Sequence, residues 1–271
     1  MTDVIKEIRY GSTNTYLIKG TNGSILFDTG WAGTLQAFCH AMGDAGEKVQ
    51  DISFILISHY HPDHMGIVQE IAEMGPRICA ADIQKDHIHF SDRFFARDKK
   101  VSFTPVKDEN VRFFTISESR AFLKETGIDG EILATPGHSD DSISLLLDSG
   151  ELFVGDLNPL YELELHKGTQ IETTWNMLLA GSPRKVYYGH APAADLKTNP
   201  LGRLLGNSAP NDIYALVKKI TRFVDKGISK EIISQKTGAD TAFVEDVTRM
   251  YVTHPGVSVQ GILDRIEIKG K

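Results

Sequence analysis

The run Ile52-Ser53-Phe54-Ile55-Leu56-Ile57-Ser58-His59-Tyr60-His61-Pro62-Asp63-His64 carries two signals back to back. Its first part is almost continuously apolar, the pattern of a strand buried on both faces. Its second part places three histidines and an aspartate within six residues. Coming directly after a buried strand, these side chains fall on the loop at the strand's carboxyl end, where α/β folds gather functional groups. Imidazole and carboxylate suit zinc, iron or manganese, and a tight loop can aim alternate side chains at different ions. One histidine on an apolar face would be a structural residue; four ligand-type residues this close predict a metal site. A helix is predicted to begin near Met65, with Gly66 allowing close backbone approach.

Outward from this run, strand and helix signals alternate. Asn14 to Lys19 and Ser24 to Asp28 are β-prone and broken by Gly20 and Gly23, which predicts a hairpin. Leu35, Phe38, Cys39 and Met42 share one helical face, as do Ile67, Val68, Ile71 and Ala72. Strands are predicted again at Glu131 to Thr135, Ser142 to Leu147, Glu151 to Val154 and Lys185 to Tyr188, with a helix over Ile171 to Ala180. Two halves with strands inside and helices outside suit a layered α/β sandwich. The stretch from Phe90 to Gly130 is less regular and rich in phenylalanine. It reads either as ordinary core aromatics or as a lid facing substrate.

Taken together, the motifs resemble those of the metallo-β-lactamase superfamily. His59-x-His61-x-Asp63-His64 matches its H-x-H-x-D-H signature. Thr135-Pro136-Gly137-His138-Ser139, Val154-Gly155-Asp156 and Tyr188-Gly189-His190 resemble its later histidine, aspartate and histidine motifs, in the right order. Leu26-Phe27-Asp28-Thr29-Gly30 resembles its first motif, whose Asp supports the site without usually binding metal. The resemblance spans roughly residues 10 to 195. It implies a four-layer αββα sandwich and two divalent metal ions per chain, zinc first, with iron or manganese as alternatives. One ion would be held by His59, His61 and His138, the other by Asp63, His64 and His190, with Asp156 bridging. Two neighbouring cations need such an anionic bridge, and the water they acidify becomes the nucleophile. Asp63 and Asp156 are thereby the expected catalytic residues, Asp63 orienting that water.

Flanking residues bear on the reaction. Reductase members of the superfamily replace the second histidine with Glu, so His61 favours hydrolysis. The commonest zinc β-lactamases have Cys where Asp156 stands. Ala191-Pro192-Ala193 replaces the aromatic that follows the last histidine in glyoxalase II-like thioesterases. Pro159 occupies the place of a Tyr found in quorum-lactone hydrolases. The glyoxalase II and lactonase branch remains the nearest in kind. The expectation is a hydrolase acting on a small-molecule acyl substrate, a thioester, lactone or related ester or amide. The alternatives are a phosphodiesterase, or a metal-containing regulatory protein that senses a ligand.

Residues 1–206 are read as the hydrolase domain and 207–271 as a helical subdomain of helix-turn-helix type. Ile213, Leu216, Val217, Ile220, Phe223 and Val224 are strongly periodic, and helices follow at Ser229 to Lys236 and Thr241 to Thr253. From 207 onward ten Lys and Arg stand against eight Asp and Glu, and Glu245 and Asp246 lie on the would-be recognition helix. A DNA reader presents a basic face, so packing, lid or dimer contacts are favoured over nucleic acid, and a homodimer is left open. A net charge of −7 points the same way. Two cysteines, no basic-then-apolar leader and no apolar run of spanning length read as a cytoplasmic protein without a membrane segment. His87 and His89 are read as a solvated pair, Asp140 and Asp141 as solvated or supporting groups.

Overall fold

Along each central strand, neighbouring residues face two different cores, and this alternation builds the layers. In the computed structural model, which describes residues 4–97, 101–196, 213–253 and 262, the first sheet runs β1 (Val4–Ile8), β2 (Thr15–Lys19), β3 (Ser24–Phe27), β4 (Phe54–Leu56), β5 (Arg77–Ala81) and β6 (Val111–Phe114) in spatial order. The β1–β2–β3 pairs are antiparallel and the β3–β4–β5–β6 pairs parallel. The second sheet has the order β11 (Ala194–Asp195), β10 (Lys185–Tyr187), β9 (Glu151–Phe153), β8 (Ile143–Leu147), β7 (Gly130–Ala134).

Leu17, Leu26, Ile55 and Ile78 point to an outer core that includes Phe38 and Met42 of α1 (Leu35–Asp44) and Val68 and Ile71 of α3 (Val68–Ala72). Their chain neighbours Tyr16, Ile18, Ile25, Phe27, Leu56 and Cys79 face inward and meet Ile132, Leu145, Leu147 and Phe153 of the second sheet. The other face of that sheet, Leu146, Leu152 and Val186, packs on Ile171, Trp175 and Leu178 of α6 (Gln170–Ala180). Helix, sheet, sheet, helix is the expected αββα order.

Between these lie two elements that the sequence reading placed differently. Helix starts before Met65: α2 (Pro62–Met65) has His61 as N-cap and Pro62 in its first turn, where the ring's fixed φ suits the start of a helix. His64 therefore sits on a helical turn rather than a loop. The Phe90–Gly130 stretch contains α4 (Asp92–Phe95), β6 and α5 (Ser119–Lys124). Phe114 and Phe122 are stacked in the inner core at 4.4 Å, whereas Phe90 and Phe94 are exposed. The core-aromatic reading of that stretch holds for Phe114 and Phe122.

Towards the C-terminus, α7 (Ile213–Asp225), α8 (Lys230–Thr237) and α9 (Thr241–Thr253) share a core of their own, with Leu216, Val217, Ile220, Ile233, Val244, Val247 and Met250. Gly238 ends α8 in the left-handed region (φ 73°), the conformation a helix stop asks of glycine. The anticipated boundary at 206/207 lies outside the described residues. Among the described residues no helix is long and apolar enough to cross a membrane.

Candidate metal centre

Asp28, the His59–His64 segment, His138, Asp156 and His190 follow β3, β4, β7, β9 and β10, and all lie beyond the carboxyl ends of those strands. The two sheets thus deliver separate motifs to one edge of the sandwich. There the side chains fall into two groups. His59, His61 and His138 offer nitrogens within 4.8 Å of one another, and Asp63, His64, Asp156 and His190 form a second set within the same span. The six residues other than Asp156 are grouped as the resemblance implies, and Asp156 falls with the second set.

Asp156 lies between the groups. Its Oδ1 is 3.1 Å from His64 Nε2 and 3.4 Å from His190 Nε2, while its Oδ2 is 3.7 Å from His138 Nε2. Asp63 Oδ2 is 3.0 Å from His190 Nε2.

Each imidazole's free nitrogen is chosen by what its other nitrogen touches. His64 Nδ1 meets Asp28 Oδ2 at 2.9 Å, His59 Nδ1 meets Ser58 Oγ at 3.0 Å, and His190 Nδ1 donates to the Ser12 carbonyl at 2.9 Å. The Nε2 atoms are thereby turned into the site. His59 Nε2, His64 Nε2 and Asp156 Oδ1 are buried; His59 Nε2 has no hydrogen-bond partner, and Asp156 Oδ1 is met only by the imidazole nitrogens of its own ligand group. Buried polar atoms are rarely left so, and an orphaned imidazole nitrogen beside two other histidines fits a cation.

The electrostatics agree. Burial, then the neighbouring His64, depresses the His59 imidazole below its ordinary pKa, and burial depresses His138. In the second group burial opposes charging of His64, yet Asp28 and Asp156 outweigh it and raise its pKa. Hydrogen bonding to Asp156 and Asp63 pushes His190 up to about 10. Asp156 falls well below the usual carboxylate range although burial resists this, because His190 and His64 face it. The carboxylates hold protons on imidazoles at the positions where a divalent ion would displace them.

Packing around the ligands is close. Gly155 has φ 55°, and a Cβ there would stand 2.4 Å from Ser58 Oγ; one at Gly189 would stand 2.6 Å from Asp156 Oδ1. Both glycines of the Gly-Asp and Gly-His motifs are therefore sterically required. Asp28, itself at φ 62°, also accepts from Ser58 N at 2.7 Å and Ser58 Oγ at 2.9 Å. It braces the site through its neighbours, as the resemblance implied.

Several residues support the site; Asp141 takes the supporting one of the two roles read for it, and the others had no signal in the sequence. Asp141 Oδ2 accepts from Tyr60 N at 2.8 Å, and Ser91 Oγ donates to Tyr60 O at 2.7 Å, pinning the His59–His61 segment from two sides. Gln84, fully buried, donates to Ile57 O at 2.9 Å. Asn14 Nδ2 donates to Tyr188 O and Ala191 O, both at 2.9 Å, and Thr13 Oγ1 donates to Asp63 O at 2.6 Å. Apart from Asp141, these are common polar residues in unremarkable local sequence, and only the fold brings them to the site. Asp140 is exposed, and His89 pairs with Asp92 and Asp108 at the surface.

Beside His190 opens a cavity of about 220 Å³ lined by Arg9, Gly11, Ser12, Thr13, Asn14 and Pro192. A second, of about 180 Å³, lies against Asp156, Asn158, Pro159 and Tyr188. Both cavities therefore adjoin His190, and the second also adjoins Asp156.

Comparison with known proteins was made on sequence and on fold. A β-lactamase-like protein 2 homolog of Drosophila melanogaster is 26% identical over 199 residues, 71% of this chain and 62% of that protein. A protein of Methanocaldococcus jannaschii named as a probable metallo-hydrolase is 28% identical over 209 residues, 71% of this chain and 94% of its own length. An atrochrysone carboxyl ACP thioesterase of Aspergillus fumigatus is 28% identical over 150 residues, 53% of this chain and 29% of that protein. The chain matches 62%, 57% and 51% of the length of the fly, nematode and Pestalotiopsis microspora relatives. A metallo-β-lactamase family protein of Thermus thermophilus superposes with a TM-score of 0.55 at 18% identity, covering 99% of this chain and 93% of that one. A structure solved in a di-iron-bound form gives 0.54 at 21% identity, covering 73% and 99%. The family model for the metallo-β-lactamase superfamily matches residues 8–190, from the first strand to the last histidine of the site, and the chain belongs to that superfamily.

Proposed function

We propose that this chain is a dinuclear metal-dependent hydrolase of acyl substrates, a thioester, lactone or related ester. The observation that carries this reading is the position of Asp156, whose two oxygens face different ligand groups, Oδ1 toward His64 and His190 and Oδ2 toward His138. A carboxylate so placed suits a bridge between one ion at His59, His61 and His138 and another at Asp63, His64 and His190. Bound there, divalent ions supply Lewis acidity toward the substrate oxygen and acidify a water toward neutral pH.

The chain's own residues do the rest. Asp63 is half-buried, with its carboxylate facing the second group, and it orients the attacking water and accepts its proton. Asp28, Ser58 and the Ser12 carbonyl hold the imidazoles so that little reorganisation is needed on reaction. The acyl reading over a phosphodiester is supported by the thioesterase relative and by a net charge of −7, which disfavours a polyanionic substrate. Zinc is the first candidate metal, iron and manganese the alternatives; imidazole and carboxylate accept all three. Residues 213–253, with their separate core, are taken as a helical subdomain rather than part of the site.

The test is a substrate panel on protein loaded in turn with zinc, iron and manganese: acyl thioesters, lactones, β-lactams and a phosphodiester. Turnover of an acyl class, abolished by chelation, is expected. Turnover confined to the phosphodiester contradicts the proposal.

A further inference from the structure

Beside His61 the surface is aromatic. The Phe90 ring lies 5.5 Å from the His61 ring at 35°, and the Trp31 and Phe94 rings meet edge-on at 5.6 Å. All three are substantially exposed, Phe90 at 57%, Phe94 at 49% and Trp31 at 38%. Single exposed apolar side chains are ordinary on a protein surface; a group of them at the rim of a polar site marks a binding surface.

The wall is held rigidly. Ser91, buried, donates to the Tyr60 carbonyl at 2.7 Å and so fixes Phe90 over the metal-ligand segment. The backbone of Trp31 packs onto Gly66, where a Cβ would come within 2.6 Å of the Trp31 carbonyl carbon. Beneath the exposed rings, Trp31 and Phe94 contact Phe95 at 5.4 Å, and Phe95 stacks on Phe103 at 4.3 Å. Phe95 belongs to the outer core. The cavity on the His190 side carries no aromatic ring in its lining and sets Arg9, Ser12, Thr13 and Asn14 beside Gly11, Ala191 and Pro192. The two sides of the site thus differ in chemistry.

We propose that Trp31, Phe90 and Phe94 form the subsite for the acyl chain, so that the preferred substrates carry an aliphatic or aromatic acyl group of several carbons rather than acetyl. This rests on the acyl-hydrolase reading above. The carbonyl sits between the ligand groups, the acyl chain runs along the aromatic wall, and the more polar leaving group faces Arg9 and Ser12.

The test has two arms on the full-length, metal-loaded chain. In the first, kcat/KM is measured for N-acetylcysteamine thioesters from acetyl to octanoyl and for phenylacetyl, and for acetyl esters of thiols of increasing length. Burying each methylene gives on the order of threefold, so octanoyl is expected to exceed acetyl by at least about 30-fold even with partial burial. Lengthening the thiol is expected to do less. In the second arm, octanoate and acetate are titrated calorimetrically, and octanoate is expected to bind at least about 30-fold more tightly on the same argument.

In Phe90→Ala/Phe94→Ala both ratios are expected to fall at least tenfold. Phe90→Ala alone, at the most exposed of the three positions, gives a folded variant with a smaller drop, and circular dichroism checks its fold. Ratios near one in the wild type, ratios unchanged in the variants, or a preference that follows the thiol overturn the subsite. Chain-length-dependent binding that the double variant loses, without turnover of any acyl probe, upholds the subsite and sinks the hydrolase reading instead.

Discussion

Asp156 and Asp28 are both carboxylates at strand ends, yet they act differently because of what surrounds them. Asp156 reaches both ligand groups, so Asp156→Ala removes the only carboxylate shared by them among the described residues. The variant is expected to bind fewer than two ions per chain and to lose hydrolysis while keeping its circular dichroism. Elemental analysis checks this, and two retained ions with full activity contradict the bridge. Asp28 touches His64 Nδ1 and Ser58 but is turned away from the site centre. Asp28→Ala leaves every ligand in place and frees the His64 ring to turn. Metal affinity is expected to weaken about 10- to 100-fold, measured by competition with a chromophoric chelator. An unchanged affinity would mean that packing alone orients His64.

At the scale of elements, the alternation of β2, β3, β8 and β9 between two cores is what holds the sheets face to face. Phe153 is fully buried between them, with Phe27 at 5.7 Å, Tyr16 at 5.3 Å and Tyr187 stacked at 4.7 Å. Phe153→Ala is expected to cost about 3–5 kcal/mol and to weaken metal binding too, since Asp156 follows three residues later. Urea unfolding checks the first part; a loss under 1 kcal/mol contradicts this packing account. The same alternation explains what could be read from the sequence. The β2–β3 hairpin, α1, β4 and β7 to β10 each carry an apolar signature at strand or helix spacing. β1, β5, β6 and β11 carried no strand prediction: β1 sets Lys and Glu among its Val and Ile at a sheet edge, β5 is a short run rich in alanine, β6 lies in the irregular Phe90–Gly130 stretch, and β11 has two residues. α5 and α2 span six and four residues, too few for helical periodicity to show. The ligands were legible because their residue types are rare and their spacing tight, and Asp141 through its place beside His138, whereas Ser91, Gln84 and Asn14 reach the site only through tertiary contacts.

Across the whole molecule, the metal-binding edge couples both sheets, so metal and stability are linked. Without metal, His190 gains stabilisation from Asp156 and Asp63, its pKa rising from 6.5 to about 10. Such a group contributes fully below the unfolded value and loses that contribution as pH rises through the folded one. The Tm of chelated protein is therefore expected to fall between pH 7 and pH 10 by more than that of a His190→Asn variant, while metal-loaded protein holds its Tm as the ion replaces the proton. Equal pH profiles for the chelated wild type and variant would remove His190 from this account. The α7–α9 helices have their own core, and their role is separable from these tests. The central claim is the pair of ions, and anomalous diffraction at the absorption edge of the loaded metal tests it most directly. The account predicts two peaks about 3.5–4 Å apart, one among His59, His61 and His138, the other among Asp63, His64 and His190, with Asp156 between them. A single peak in fully loaded crystals, or a second one away from Asp156, would contradict it.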